Sequence, residues 1–270
     1  SSVFVSLARG YRAGGAFVAV RENPNIAGFE QFVGQYDPEF LNTFEVGMRN
    51  VLLDGRLTLN GNIFYSQYED QQVLVDGFDP SRSDDNLIVN AGESTLYGLE
   101  LSADFEVTDN IGAFATIGLL ETEFDDFPFA VDSDGSVIPG ADPQFENLSG
   151  DSFPSAPNLT FTLGGDWEGD NGLFGNASLS FTGETVGGIP NLDTQDLLAA
   201  GGDPDVVSRL DIGGEERYDL TGRFGWRNDR IQAYVFGSNL LDGDRYTSRF
   251  FANVGSSSGV VSLQSPCFTV

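Results

Sequence analysis

Arg56-Leu57-Thr58-Leu59-Asn60-Gly61-Asn62-Ile63-Phe64-Tyr65 alternates without interruption. One side of an extended chain reads Leu57, Leu59, Gly61, Ile63, Tyr65, and the other Arg56, Thr58, Asn60, Asn62, Phe64. Successive side chains of a strand point to opposite sides, so this period of two marks a β-strand with an apolar and a polar face. The alternation returns in 99–106, where Leu99, Leu101, Ala103 and Phe105 oppose Glu100, Ser102, Asp104 and Glu106. It returns in 159–163, in 177–181, and in Tyr218, Leu220, Phe224 and Trp226 against Arg217, Asp219, Thr221 and Arg223. Nine strands are predicted, at about 3–9, 42–53, 56–74, 87–107, 111–122, 158–168, 173–184, 216–227 and 230–241.

The connections are as informative as the strands. Asp54-Gly55, Asp109-Asn110, Asp170-Asn171-Gly172 and Asn228-Asp229 have hairpin-turn composition. Between these hairpins lie long polar connections near 10–41, 75–86, 123–157, 185–215 and 242–264. Short and long alternate throughout. Outer-membrane barrels combine short turns at one end with long loops at the other, whereas a soluble sandwich has no reason to do so. The expected fold class is therefore all-β, an antiparallel transmembrane β-barrel. Apolar faces would meet outer-membrane lipid and polar faces a wet lumen. Several strands exceed the roughly 10 residues that cross the hydrocarbon, 87–107 most clearly. Tyr65, Tyr68, Trp167, Tyr218, Trp226 and Tyr246 lie near strand ends, which suits an interfacial girdle and equally suits the general enrichment of aromatics in strands.

Composition narrows the function. The chain of 270 residues carries 41 acidic and 13 basic residues, a net charge of −28, which argues against nucleic acid as a partner. Its 34 glycines and 23 phenylalanines suit strands and tight turns. Without any histidine, Ser-His-Asp and Cys-His chemistry are removed, and the lone Cys267 has no disulfide partner. No signal peptide opens the chain, and no run approaches the roughly 20 apolar residues of a spanning helix.

Individual motifs add little chemistry. Asp132-Ser133-Asp134-Gly135 has the start of a calcium loop, but the twelfth position, where a glutamate is needed, is Pro143. That stretch, Asp84-Asp85 and Asp125-Asp126 read as solvated loop charge. Glu100, Asp104 and Glu106 share one strand face, and a wet lumen explains them more simply than acid–base catalysis does. Gly98, Gly112, Gly118 and Gly164 precede no helix, so they mark bends or close approach to a plug rather than phosphate cradles. Asn147-Leu148-Ser149 is a formal sequon without meaning in a bacterial outer membrane. No catalytic, cofactor-binding or metal residue is nominated.

Six stretches resemble the barrel of TonB-dependent receptors. They are Ala8-Arg9-Gly10-Tyr11-Arg12-Ala13-Gly14-Gly15; Tyr36-Asp37-Pro38-Glu39 with Asn42-Thr43-Phe44-Glu45-Val46-Gly47; and Asp54-Gly55-Arg56-Leu57-Thr58-Leu59-Asn60 with Phe64-Tyr65. The others are Asn90-Ala91-Gly92-Glu93 with Tyr97-Gly98-Leu99-Glu100-Leu101; Ser155-Ala156-Pro157-Asn158; and Asn239-Leu240-Leu241-Asp242 with Arg245-Tyr246. Their order over nearly the whole chain is more specific than any one of them. The resemblance implies a barrel of about 22 strands, of which strands about 13 to 21 would be here, with 1–270 as the C-terminal part of the barrel domain, a transmembrane β-barrel fragment that forms an open curved sheet by itself. It also implies a plug domain and a TonB-contacting motif, neither present in this sequence. The family's last strand opens on Pro-Arg and closes on an aromatic residue, whereas this chain ends Ser265-Pro266-Cys267-Phe268-Thr269-Val270, so truncation at both ends is expected.

The function implied by the resemblance is transport rather than catalysis. An extracellular ligand such as a ferric siderophore would bind loops 10–41, 75–86, 123–157 and 185–215, and the TonB complex would act through the missing plug. A vitamin, a saccharide or another metal chelate stays open as ligand. The rival readings are a passive porin or adhesin-type barrel, and a soluble acidic all-β binding protein. Extending the reading frame in both directions checks this: a plug upstream and a terminal aromatic strand downstream are expected, and a frame with no plug would sink the receptor reading.

Overall fold

The computed structural model describes residues 1–22, 29–75, 87–130, 145–147, 149–186, 214–241, 246–254 and 257–264. Nine strands form one open antiparallel sheet, and they are the nine that the alternation predicts. In spatial order they are β1 (Ser2–Arg12), β4 (Glu39–Leu52), β5 (Leu57–Val75), β6 (Leu87–Thr108), β7 (Ile111–Asp126), β10 (Leu159–Glu168), β11 (Leu173–Thr182), β12 (Arg217–Arg227) and β13 (Gln232–Gly237). Three further hairpins stand outside this sheet, β2 (Gly15–Glu22) with β3 (Phe29–Tyr36), β8 (Pro128–Ala130) with β9 (Phe145–Asn147), and β14 (Tyr246–Val254) with β15 (Ser257–Gln264). All three fall inside stretches predicted as polar connections. Phe17-Val18-Ala19-Val20 is a continuous apolar run, so a search for period two passes over it.

The four short turns all lie at one end of the sheet, because consecutive strands run antiparallel and each turn joins a neighbouring pair. Leu53 and Asp54 take left-handed φ values of 53° and 56°, and Gly55 reaches 97°. Only glycine reaches that last conformation without strain, which is why Asp-Gly closes this hairpin. At the last turn the Asn228 side chain accepts bonds from the Arg230 and Ile231 amides, at 2.9 and 2.8 Å. This delays β13 to Gln232, two residues later than its predicted start. Asn239, in the left-handed region, donates its amide to Asp219 beyond the strand's end.

The strand glycines seat side chains of neighbouring strands and do not mark bends. On the polar face, phenyl rings lie against glycines of the neighbouring strand: Phe4 on Gly47, Phe64 on Gly98, Phe114 on Gly164 and Phe174 on Gly225. A Cβ built on Gly98 would stand 2.7 Å from the Phe64 ring, and one on Gly164 would meet the Phe114 ring closer still. The ring covers a backbone that glycine leaves bare, an aromatic rescue across the ladder. Gly112 and Gly118 instead make room for the Asp166 side chain and the Thr160 hydroxyl. None of these glycines bends its strand out of the ladder.

One outcome follows for these seats. Gly98→Ala drives a methyl into both the Phe64 ring and the Leu119 carbonyl, and overpacking of this kind costs about 1–3 kcal/mol. At Gly10 nothing lies within 4 Å, so Gly10→Ala changes stability by no more than about 0.5 kcal/mol. Urea unfolding in detergent, followed by tryptophan fluorescence, reads both.

Candidate functional site: two faces and a loop-side rim

The cross-strand register carries each strand's alternation across the whole sheet. Val5 pairs with Val46, Val46 with Ile63, Ile63 with Leu99, Leu99 with Leu119 and Leu119 with Leu159. One face is therefore apolar from β1 to β13. Its side chains are largely exposed, with Leu7 at 80%, Ile63 at 56% and Val235 at 72%. Among the described residues only Val73, Ala91, Phe124, Phe127, Phe174 and Phe181 are buried apolar residues. An apolar face of this extent without a covering layer is not a water-facing surface.

This face has defined upper and lower edges. Rings mark them: Tyr65 on the loop side of β5, Tyr97 and Phe105 on β6, Trp167 on the turn side of β10, and Tyr218 and Trp226 on β12. Tyr97 and Phe105 are eight residues apart, as are Tyr218 and Trp226. That interval is about 27 Å along the strand, and about 21 Å along the membrane normal at a tilt near 40°. With the girdle rings added, it matches an apolar band roughly 25 Å tall.

The band also drifts. The ladder position level with Phe105 is Gly165 on β10 and Gly222 on β12. The girdle uses Trp167 and Trp226 instead, two and four residues nearer the turns, on strands two and four steps away. One residue of drift per strand, at ~3.3 Å per residue and ~4.8 Å between strands, inclines the strands by about 35°, within the range of closed barrels.

The opposite face is polar. It carries cross-strand bonds from Thr43 to Ser66 (2.9 Å), Asn60 to Ser102 (3.3 Å), Thr162 to Ser180 (3.0 Å) and Ser178 to Thr221 (2.8 Å). Glu100, Asp104 and Glu106 do share this face, each exposed, opposite Gly118, Phe114 and Gly112. Across the sheet stand Arg223 and Arg227, the latter ion-paired with Glu168. This is the composition of a wet wall, where charge needs no buried partner.

Above the band, both faces are braced. On the outer side Arg9 bridges to Glu69 at 3.0 Å and stacks on Phe40, and Asn42 also donates to Glu69. Just below lies a shallow groove of about 400 Å³ lined by Leu7, Phe44 and Tyr65, on the side away from the polar wall. On β5, Asp70 is left-handed and interrupts the ladder, and Asn90 donates to its carbonyl at 2.7 Å. The same Asn90 side chain clamps Asp37 through its amide and carbonyl, at 2.8 and 3.0 Å. Gln72 reaches the Ala13 and Asp37 carbonyls, both at 3.0 Å. These contacts tie the base of the β2–β3 hairpin to β5 and β6.

On the polar face the rim turns inward. Asp151 and Gly150 bond Phe124 as a ladder partner would, while Asn158 bonds Leu120. The residues between them form a bulge that seats Phe153 between Tyr68 and Phe124, with ring centroids 6.4 and 4.7 Å away. Phe127 completes the cluster at 5.0 Å from Phe124, and Ser94 is fully buried beneath it. Tyr68 therefore corrects the predicted girdle, since it faces inward above the band while Tyr65 faces outward within it. Burial, and then the charge on Glu39, push the Tyr68 phenol above its ordinary value, so it stays protonated at neutral pH.

The other predicted features are placed as follows. Asp125 accepts a bond from Thr95 at 2.6 Å, and Asp126 lies beside Gly92. Asp84, Asp85, 132–135, Pro143, Leu148, Cys267 and most of 185–215 lie outside the described residues, as does the Tyr246 side chain. Among the described residues no cluster of three acidic or cysteine side chains could hold a metal ion, and no helix is long and apolar enough to cross a membrane. The Phe–Gly seats and the Phe153 bulge were not anticipated. The pairing of each Phe with a Gly one strand away is visible only once the register is known.

Comparison with known proteins is consistent with this geometry. Residues 1–240 match the family model described as TonB dependent receptor-like, beta-barrel. A stretch of 87 residues is 32% identical to the "Probable TonB-dependent siderophore receptor PiuA" of Acinetobacter baumannii, covering 32% of this chain and 11% of that protein. The chain superposes on the ferric yersiniabactin uptake receptor FyuA of Yersinia pestis with a TM-score of 0.60 at 18% identity, over 97% of this chain and 33% of that one. It superposes on the siderophore receptor PiuA of A. baumannii with a TM-score of 0.58 at 20% identity, over 78% and 26%. The chain thus spans about a third or less of the length of these relatives.

The face assignment has a direct test. Leu101 lies midway between Tyr97 and Phe105 on the apolar face, so Leu101→Arg puts a cation at the bilayer midplane at a cost of about 2–4 kcal/mol. Its neighbour Ser102 faces the wet wall, and Ser102→Arg leaves assembly intact. Heat-modifiable migration of outer-membrane fractions distinguishes the two, and equal behaviour would refute the assignment.

Proposed function

The chain belongs to the TonB-dependent receptor-like β-barrel family, and from that premise we propose that it forms the C-terminal wall of an outer-membrane receptor for a scarce ligand, an iron–siderophore complex. The observation that carries this reading is the tilted apolar band, with every short turn at one end of the sheet and the strand ends that lead into the long connections at the other. Such a wall belongs in the outer membrane of a Gram-negative bacterium, with lipid on one face and the lumen on the other. The relatives named for siderophore uptake support the ligand class.

In this reading the loop-side rim meets the ligand and the wall guides it. The braces at Asn90, Gln72 and Phe153 hold the loop bases rigid, so that binding residues beyond them start from fixed positions. Phe124 and Phe127 are buried and Tyr68 and Phe153 half-buried against them, which makes these rings supports for the loops rather than ligand contacts. TonB acts through a plug domain, and the wall's polar face provides the surface past which the ligand moves. The work is binding and passage, with no bond made or broken in the ligand by this wall.

The test is genetic. A strain deleted for the whole gene grows poorly under iron limitation on the cognate siderophore, takes up its radioiron complex at background rate, and recovers with the intact gene. Uptake that persists without TonB would refute the energised reading and favour a passive pore. Recovery of the intact product in the soluble fraction without detergent would refute the membrane wall.

A further inference from the structure

Two of the four glycine-seated rings on the polar wall carry a guanidinium. Arg49 stands over Phe4, its carbon 5.4 Å from the ring centre, and Phe4 rests on Gly47 of Arg49's own strand. Arg223 stands between Phe174 at 5.5 Å and Tyr234 at 5.4 Å, and Phe174 rests on Gly225 of Arg223's own strand. In each case strand, ring and guanidinium make a three-layer stack, with glycine and arginine two positions apart. Phe174 is only 7% exposed because Arg227 also covers it, at 5.7 Å. The two arginines over Phe174 differ in one respect. Arg227 is committed to Glu168, bonding it through Nε at 3.0 Å. Among the described residues, Arg223 and Arg49 make ring contacts but no hydrogen bond or ion pair.

We infer that Arg223, and with it Arg49, is a carboxylate-binding site built into the wall at membrane depth. A guanidinium binds rings with its faces and oxyanions with its edge, where the N–H donors form a fork that matches a carboxylate. Here the rings occupy and orient the faces, and the edge is left open to the lumen. Both side chains are exposed, so a ligand can reach them. The ladder neighbours of Arg223 are Asn176 and Phe236, which supply no negative charge, and the nearest carboxylate at its level is Asp166, two strands away. Arg49 is likewise flanked by Asn60 and Ser2. In a chain of net charge −28 these two cations of the wall have no ion pair among the described residues. The carboxylate comes from a solute in the lumen or from a carboxylate side chain of polypeptide that enters it. The inference depends on the polar face being the lumen wall and not on iron as cargo.

Residue-resolved guanidinium chemistry tests it on the full-length wild-type protein in detergent. Modification by phenylglyoxal is followed at Arg223, Arg49 and Arg227 by peptide mass spectrometry, with citrate as carboxylate probe and sodium chloride at equal ionic strength as control. If a solute supplies the carboxylate, citrate slows Arg223 by about tenfold, the effect of one charge-assisted pair. If polypeptide supplies it, Arg223 is already slow without citrate and is released about tenfold by prior blocking of carboxylates with carbodiimide and glycinamide. Either result supports the site. A rate at Arg223 that responds to neither citrate nor blocking overturns it, whether that rate is fast or slow. In Phe174→Leu, which removes the seat but keeps the charge, citrate protection of Arg223 weakens toward that of an exposed arginine. Undiminished protection would show that charge alone acts and overturn the role of the stack. The assay uses no iron, so its outcome is independent of whether the cargo is a siderophore.

Discussion

A backbone amide or carbonyl in hydrocarbon has no water to bond, and the rest of this structure depends on that constraint. Each strand in the apolar band must satisfy its polar groups on both sides with other strands. From β1 to β12 the ladder does this without a break inside the band, β13 covers only Gly222–Arg227 of β12, and the irregularities between β5, β6 and β7 fall where water returns. Asp70 leaves the ladder above the band, with an Asn90 amide standing in at its carbonyl. The shift at Glu93 and Ser94 is also above the band, and the shift between Glu106 and Thr108 is beside the lower turn.

Continuous pairing then fixes what each face can be. Because side chains alternate, a paired strand that shows lipid an apolar row shows the lumen the other row. The outer row has to be apolar, and within the band it is, apart from Asn50 beside Leu59 near the lower edge. The inner row has more freedom, and this chain uses it in two ways: hydroxyl and amide pairs that satisfy one another across strands, and phenyl rings laid over glycines. The rings shield a backbone that would otherwise be exposed to a wet lumen, without a large side chain at both ladder positions. Where an arginine lies two residues from the glycine on the same strand, the ring also fixes a cation against the wall.

The rim is held by different physics. Above the band, strands project into water and have no lipid to order them. Order there comes from side chains that bond backbone across strands, as Asn90 and Gln72 do, and from a small aromatic core of Tyr68, Phe124, Phe127 and Phe153. That core is local and inward-facing. It gives the loop bases a fixed start while leaving the loops themselves to vary.

The nine wall strands, their short turns and the sidedness of the loops were legible in the sequence, because each follows from neighbours along the chain. Period-two alternation identifies a strand such as 56–65 without reference to any partner, and Asp54-Gly55 identifies its turn. The hairpins in the loops were less legible, since the run at Phe17 does not alternate. Register, tilt and the direction of Tyr68 were decided by tertiary structure alone. Trp167 and Trp226 become one girdle with Phe105 only when the ladder shows them drifting one residue per strand. Gly98 and Gly164 read as bends until Phe64 and Phe114 are seen lying on them from another strand. The alternation of a strand is a local property of L-residues in extended backbone, whereas what a side chain meets across the sheet is set by pairing partners that lie tens of residues away in the chain.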